Sequence, residues 1–160
     1  MHRVLRIFFA ATALTAVLPL SAVAADNADT QAIRRQLQRY ETALNASDAE
    51  AVMKLYAADA VFMPQHNSPA VGREAVRAAY DQVFKAIKLD IKFAIDEVVP
   101  VSKTWAYART RSSGTVKVLG TQLPPAAEGN QELFLLRKEP DGQWRFARYI
   151  FSTINPPAPR

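Results

Sequence analysis

The run from Gln143 to Asn155, which reads QWRFARYIFSTIN, most constrains what this chain can fold into. It is rich in aromatic and β-branched residues, and Pro140-Asp141-Gly142 stands just before it. An Asp-Gly pair between two such runs is a strong hairpin signal. The partner run extends from Glu132 to Lys138 and reads ELFLLRK. We therefore predict two antiparallel strands joined at this turn.

Strict alternation along the second of these strands predicts which side chains share a face, because successive residues point to opposite sides of a sheet. One face would carry Trp144, Phe146, Arg148, Ile150 and Ser152, and the other Arg145, Ala147, Tyr149, Phe151 and Thr153. Both faces hold large apolar groups. We therefore predict a central strand that is covered on both sides.

The first 24 residues have the pattern of a secretory signal peptide. Arg3 and Arg6 form a basic region, residues 7–20 are mostly apolar, and Ala22-Val23-Ala24 is an A-x-A cleavage site. We predict that residues 1–24 are removed, that residues 25–160 form a single domain, and that the protein is periplasmic or secreted, with no membrane attachment after cleavage. An uncleaved membrane anchor is the alternative.

Composition and motifs argue against several functional classes. The formal net charge of +5 includes two arginines of the leader, and no basic run follows, so we expect no nucleic-acid partner. The chain has no cysteine, which removes disulfides and Cys/His zinc sites. It contains no P-loop, Rossmann glycine pattern or G-x-S-x-G motif. We therefore predict no cofactor and no metal.

The N-terminal half is predicted to be helical from its apolar periodicity. A first helix should run from Asp29 or Thr30 to about Asn45. Ser47 with Glu50 fits a capping box that starts a second, short helix at Asp48, and Gly72 opens a third, long one. The residues expected to be buried are Ile33, Leu37, Tyr40 and Leu44 in the first helix, Val52, Leu55 and Tyr56 in the second, and Val76, Ala79, Tyr80, Val83, Phe84 and Ile87 in the third.

Strand patterns occur at residues 60–63, 89–100 and 105–118, ahead of the hairpin at 132–155. Pro64 stops the first of them, and residues 65–71 are predicted to form a loop. Gly114 indicates a bulge or bend in a long curved strand, or a turn that divides it. Residues 119–130 are predicted to form an exposed loop. Helices first and a strand meander afterwards predict an α+β fold.

In this order, the elements resemble the nuclear-transport-factor-2-like (NTF2-like) superfamily, specifically its SnoaL-like or DUF4440 branch. The matching segments are Tyr40 and Asn45 before Ser47-Asp48, LYAADAV at 55–61 before Met63-Pro64, VGREAV at 71–76, and DGQWRF at 141–146. The resemblance implies a cone, in which a highly curved antiparallel sheet wraps around the N-terminal helices. It also implies a pocket at the wide end and often a homodimer. Relatives include ketosteroid isomerases, polyketide cyclases, dehydratases, hydrolases and members without known activity, so the reaction is not implied.

Arg148 is the main candidate for a ligand-binding residue. Alternation places it among aromatic residues on the face of Trp144, and burying a guanidinium is costly unless it is paired. One hypothesis is that it holds an anionic or carbonyl-bearing ligand, because its planar fork suits carboxylates. The other is that it pairs with Glu132 inside the sheet, or lies at a dimer interface.

Further residues complete the candidate site. Tyr40 and Tyr80 could present hydroxyls to the pocket or simply pack in the core. Tyr107 and Trp105 share a face with Arg109, which suits stacking or a cation–π contact. The predicted ligand-binding set is therefore Arg148, Glu132, Tyr40, Tyr80, Trp144, Tyr107 and Arg109.

The catalytic residues stay unassigned. Isomerase-type relatives place an acidic base on or near the first strand, but residues 60–63 hold no carboxylate. Asp59 precedes this strand, where aspartate more typically caps or turns the chain. His66, the single histidine after the leader, is expected in a loop near the mouth of the pocket.

We predict an exported protein whose apolar pocket binds a small, partly hydrophobic molecule, with acid–base turnover of isomerase, dehydratase or hydrolase type as a possible extension. The alternative is a non-catalytic homodimeric binding or assembly module of the periplasm. An open cavity with an unpaired acid would favour the enzyme, and a closed salt bridge between Arg148 and Glu132 would favour the module.

Overall fold

A computed structural model of the protein describes residues 20–156, with side chains from residue 28 onward. Most of the predicted signal peptide therefore lies outside the described residues, and its cleavage after Ala24 stays a prediction. No helix in the described part is long and apolar enough to cross a membrane. The elements are α1 (Leu20–Ala46), α2 (Ala49–Met53), β1 (Tyr56–Met63), β2 (Ala70–Val71), α3 (Arg73–Ala86), β3 (Ile87–Pro100), β4 (Trp105–Val118), β5 (Ala126–Lys138) and β6 (Trp144–Thr153).

The six described strands form one curved, unclosed sheet in the order β2-β1-β6-β5-β4-β3. Neighbouring strands are antiparallel except β1 and β6, which are parallel. The predicted α+β class is therefore confirmed, and β6 is a central strand as expected. The helices pack on the inner face of the sheet, and the opposite face is called the outer face below.

The three predicted helices are present, and their buried residues form much of the core, although α1 begins at Leu20 and not at Asp29 or Thr30. In α1, Ile33, Leu37 and Tyr40 are almost fully buried. The N-cap of α2 is Asp48 and not Ser47, because the carboxylate of Asp48 accepts a hydrogen bond of 2.9 Å from the backbone N–H of Ala51. The long helix α3 buries only Val76 and Tyr80 of the predicted stripe. The side chains of Ala79, Val83 and Phe84 are half-buried.

The hairpin at the C-terminal end forms as predicted, but a β-bulge changes its faces. Residue Leu135 pairs with Arg148, whereas Leu136 pairs with Phe146, so Ala147 is an extra residue on β6. A bulge of this kind reverses the inside–outside alternation beyond it. Phe146 and Tyr149 are therefore both buried inside. The prediction that Arg148 and Ile150 share a face with Trp144 and Phe146 is wrong.

The outer face of the central hairpin is open to solvent in the described chain. Leu133 on β5 and Ile150 on β6 are 46% and 45% exposed. The expectation that both faces of β6 are covered is therefore met only on the inner side. The apolar side chains that remain outside are available for contact with another surface.

Three strands begin earlier than their sequences predict, and β3 does so by two residues, at Ile87, which was expected in the third helix. Strand β1 starts at Tyr56 and β5 at Ala126, within segments assigned to a helix and an exposed loop. A two-residue strand, β2, also lies in the predicted loop 65–71. These segments are rich in alanine, aspartate and glycine, which are weak strand formers, and pairing with neighbouring strands overrides this preference.

Gly114 lies within the continuous strand β4, so it marks a curved strand and not a dividing turn. It pairs with Ile91 on one side and Glu128 on the other. A Cβ atom at this position would lie 2.1 Å from the carbonyl oxygen of Asp90. Only glycine allows this close approach between β3 and β4.

Candidate functional site

A cavity of about 140 Å³ lies between the two long helices and the inner face of the sheet. Strands β3 to β6 form its floor, and α1 and α3 cover it. Most of its wall is apolar, with aliphatic side chains at the α3–β3 corner. The aromatic residues that line it are Tyr40, Phe62, Tyr80, Phe93, Tyr149 and Phe151. We call this space the inner cavity.

The phenol groups beside the inner cavity form a hydrogen-bonded cluster. The hydroxyl of Tyr80 is bonded to the hydroxyl of Tyr40, and it lies 2.7 Å from the hydroxyl of Tyr56. All three side chains are almost fully buried. Burial raises the pKa of each phenol above its ordinary value, so the three groups are neutral at physiological pH. The cluster can give or accept hydrogen bonds without carrying charge.

Glu132 supplies a buried carboxyl group to the inner cavity. It is 4% exposed, and its Oε2 accepts a hydrogen bond from the hydroxyl of Thr110. Burial raises the pKa of Glu132 to about 7, although hydrogen bonds from Thr110 and Ser112 act to lower it. No basic side chain of the described residues forms a salt bridge with it. This carboxyl can therefore take up or release a proton near neutral pH.

Three further polar residues, Ser112, Glu128 and Asn130, lie beside Glu132 at the same end of the inner cavity. The Nδ2 atom of Asn130 donates a hydrogen bond of 2.8 Å to Oε1 of Glu128. It also lies 3.4 Å from the hydroxyl oxygen of Ser112. The Oδ1 atom of Asn130 is buried and has no hydrogen-bond partner within the described chain. Residues 128, 130 and 132 face the same side because they occupy alternate positions of β5.

The structure brings three of the predicted ligand-binding residues together, namely Glu132, Tyr40 and Tyr80. Arg148 lies on the outer face, where it donates hydrogen bonds to the backbone carbonyls of Asp59 (3.3 Å) and Ala147 (2.6 Å). The hypothesis of an Arg148–Glu132 pair is wrong, because the bulge at Ala147 places the two side chains on opposite faces of the sheet.

Tyr107 and Arg109 also lie on the outer face. Tyr107 borders an apolar depression of about 460 Å³ together with Arg148. Arg109 forms salt bridges with Asp96 (2.8 Å) and Glu97 (3.0 Å). The predicted face shared by Trp105, Tyr107 and Arg109 is therefore present. The cation over the ring of Trp105, however, is Arg137, at 5.6 Å.

Trp144 lies at the far end of the sheet, away from the inner cavity. Its Nε1 donates a hydrogen bond of 3.1 Å to Asp29, which also binds Lys138 at 2.8 Å. It is buried and borders a separate groove of about 390 Å³ between α1, α2 and β6.

Asp59 and His66, the two residues considered for catalysis, lie outside the inner cavity. Asp59 forms a salt bridge of 2.7 Å with Arg137, and the hydrogen bond from this guanidinium holds the pKa of the carboxyl below its usual value. His66 lies in the exposed loop after β1, with a positive φ of 62°. Neither side chain lines the inner cavity. No cluster of potential metal ligands occurs within the described ranges.

Sequence reasoning missed Tyr56, Ser112, Glu128 and Asn130 as site residues. A usable signal was present in β5, where Asn130, Glu132, Phe134 and Leu136 alternate with outward-facing residues. Assigning residues 119–130 to a loop hid the first member of this pattern. Ser112 was not predicted as a site residue because it stands next to Ser113 and Gly114, a combination that is typical of a turn.

A curved sheet that encloses helices and an aromatic cavity with one unpaired acid defines a class of cone-shaped α+β pocket proteins. Within this class, the family profile of the SnoaL-like domain matches residues 37–150. The chain therefore belongs to the SnoaL-like family and has the NTF2-like fold. A search of curated proteins found no match to this chain.

Solved structures support the same assignment. A ketosteroid isomerase-like protein from Erwinia carotovora atroseptica SCRI1043 is 36% identical, with a TM-score of 0.78 over 81% of this chain and 99% of that chain. A candidate scytalone dehydratase from Novosphingobium aromaticivorans DSM 12444 is 21% identical, with a TM-score of 0.74 over 83% of this chain and 89% of that chain. An NTF-2-like protein of unknown function from Shewanella oneidensis MR-1 is 21% identical, with a TM-score of 0.59 over 77% and 98% of the two chains. The last two show the fold alone.

Proposed function

We propose that this is an exported protein that binds a small, partly hydrophobic molecule in the inner cavity and exchanges a proton with it through Glu132. The reaction class would be an acid–base step of isomerase, dehydratase or hydrolase type. The tyrosine cluster would position the ligand and stabilise developing negative charge by donating hydrogen bonds. Glu132 would act as the general base or acid.

The observation that carries this proposal is the environment of Glu132. Its carboxyl lies in an aromatic cavity without a cationic partner, and its pKa of about 7 matches neutral conditions. General acid–base catalysis is most efficient when the pKa of the catalytic group lies near the working pH. A carboxyl in a structural salt bridge would instead have a lowered pKa. The similarity to a ketosteroid isomerase-like protein is consistent with this chemistry.

This proposal is tested by measuring how fast a ketone exchanges its carbon-bound hydrogen for deuterium from the solvent. The protein is incubated in D₂O with small cyclic ketones, and loss of the hydrogen next to the carbonyl is followed by proton NMR. The wild type should accelerate exchange, and Glu132→Gln should reduce the acceleration by about 100-fold or more, the usual scale for a general base. Glu97→Gln, on the outer face, is the matched control and should behave as the wild type. Equal exchange by Glu132→Gln and the wild type would contradict the role of Glu132.

The second candidate function is a non-catalytic homodimeric module, and the outer face favours it. The depression beside Tyr107 and Arg148 is lined almost entirely by apolar atoms, and Leu133 and Ile150 in it are about half exposed. Burying this surface against a second copy would remove it from water. Arg148, Tyr107 and Arg109 would then act at an interface. A wild type that gives no exchange with any ketone would favour this candidate.

Export is proposed from the leader pattern alone. Expression of the full chain in a Gram-negative host should yield periplasmic protein whose N-terminal sequence begins near Ala25. Recovery of the intact chain with Met1 in the membrane fraction would show instead that the leader is retained as an anchor.

A further inference from the structure

The end of the inner cavity near Glu132 carries hydrogen-bond acceptors and negative charge, but its lining has no positively charged side chain. Glu128, Asn130 and Glu132 all border the cavity. None of the residues that line it is a lysine, arginine or histidine. An ionised carboxylate in such a place is poorly solvated and gains from any cation that enters.

The amide of Asn130 adds a second observation. A carboxylate only accepts hydrogen bonds, so Glu128 holds the Nδ2 side of this amide at 2.8 Å and fixes its orientation. The Oδ1 atom is then left buried without a donor in the described chain. A buried acceptor in this state is unfavourable, and a ligand with N–H donors would satisfy it.

The remaining wall suits a cation with an apolar body. The rings of Phe62 and Tyr149 stack at 5.4 Å, and those of Phe62 and Tyr80 at 5.1 Å. Because these rings stack on one another, they form a packed apolar wall that suits the apolar part of a ligand. A dry cavity of about 150 Å³ holds a benzene molecule, so the inner cavity can hold an apolar body of about one ring.

We propose that the inner cavity binds a small organic ammonium compound, with the ammonium group at Glu132, Asn130 and Glu128 and one apolar ring among the aromatic side chains. This rests on the binding part of the proposed function, because it uses the same cavity. It adds the charge and size of the ligand, and in it Glu132 is the counter-ion of the ligand and not its general base. An ammonium group has three N–H donors, which match the three acceptors at this end of the cavity.

The polar and titratable side chains around Glu132 determine how ligand binding depends on pH. They are Tyr40 on α1, Tyr80 on α3, Asp96 on β3, Thr110 and Ser112 on β4, Glu128 on β5 and Tyr149 on β6. All of these groups are neutral or negative. Arg109 and Arg111 are the nearby positive charges, and both are paired with Asp96. An ammonium ion pairs with the ionised form of Glu132. Its affinity should therefore rise as the pH increases through about 7.

The test uses three probes of similar size, measured by isothermal titration calorimetry at pH 6 and pH 8. Benzylammonium should bind at pH 8 at least about tenfold more tightly than benzyl alcohol, the scale of one charge-assisted hydrogen bond, and benzoate should not bind. About nine-tenths of Glu132 is protonated one unit below its pKa. The affinity for benzylammonium should therefore be about tenfold lower at pH 6 than at pH 8.

A variant and its control identify the group responsible. Glu132→Gln should abolish both the preference for benzylammonium and its pH dependence, whereas Glu97→Gln on the outer face should keep both. If benzyl alcohol binds as tightly as benzylammonium, or if the wild-type affinity is the same at both pH values, the ammonium inference is overturned while the pocket stands. If none of the three probes binds, both the inference and the proposed pocket function are overturned.

Discussion

Replacing Glu132 with glutamine is expected to remove a pH-dependent loss of stability from the folded protein. Burial raises the pKa of this carboxyl from its ordinary value of 4.5 to about 7. Between these two values, the folded state binds more protons than the unfolded state, so stability falls as the pH rises. Above pH 7 the loss is complete. Below pH 4.5 both states carry the neutral carboxyl, and the loss disappears.

The size of this effect follows from the shift. One pKa unit corresponds to 1.36 kcal/mol, so the change from 4.5 to about 7 predicts a loss of about 3 kcal/mol. The discount for solvent screening is small, because Glu132 is almost fully buried. Glutamine has nearly the same shape and can still accept the hydrogen bond from Thr110. Glu132→Gln and the wild type should therefore be similarly stable at pH 4.5, and the variant should be about 3 kcal/mol more stable at pH 8.

Urea melts of both proteins at half-unit steps from pH 4.5 to 8.5 measure this difference. Other titrating groups affect both proteins alike and cancel in the comparison. Glu97→Gln is the matched control, because Glu97 pairs with Arg109 on the outer face and lies outside the inner cavity. A difference between Glu132→Gln and the wild type that does not change with pH would refute the reasoning.

Three other expected outcomes test separate parts of the structure. Tyr80→Phe should lower the free energy of unfolding by about 1–3 kcal/mol, because it removes the hydroxyl that bonds to both Tyr40 and Tyr56; equal urea midpoints would contradict the cluster. Gly114→Ala should cost about 1–3 kcal/mol, because its Cβ would meet a backbone oxygen at 2.1 Å, and thermal melts will show this. Size-exclusion chromatography with light scattering should give a dimer at micromolar concentration, which Ile150→Lys should disrupt; a monomeric wild type would rule out the outer face as an interface.

The helices and the hairpin could be predicted from the sequence, because their signals are local. An apolar residue at every third or fourth position defines α1 and α3, and an Asp-Gly pair defines the β5–β6 turn. The parallel pairing of β1 with β6 could not be predicted in this way. It depends on contacts between Tyr56 and Phe146, which are far apart in the sequence. The early starts of β1 and β5 have the same origin, since pairing with neighbouring strands determines them.

The candidate site was only partly predictable, and the reason is a single residue. Strict alternation from Trp144 and Phe146 assigns Arg148 to the inner face, and this assignment is wrong because the bulge at Ala147 adds one residue to β6. Ala147 carries no sequence signal of a bulge, yet the bulge is what allows both Phe146 and Tyr149 to be buried inside.

The bulge at Ala147 also changes which side chains face the inner cavity. Strict alternation would put the guanidinium of Arg148 on the inner face, the side of the sheet on which the carboxyl of Glu132 lies. With the bulge, Tyr149 takes the inner position, and Arg148 binds backbone carbonyls on the outer face. Glu132 is thereby left with hydroxyl donors alone, which stabilise its charge less than a guanidinium would. One inserted residue in β6 thus accounts for the wrong face assignment, and it leaves burial to raise the pKa of Glu132 without an opposing guanidinium.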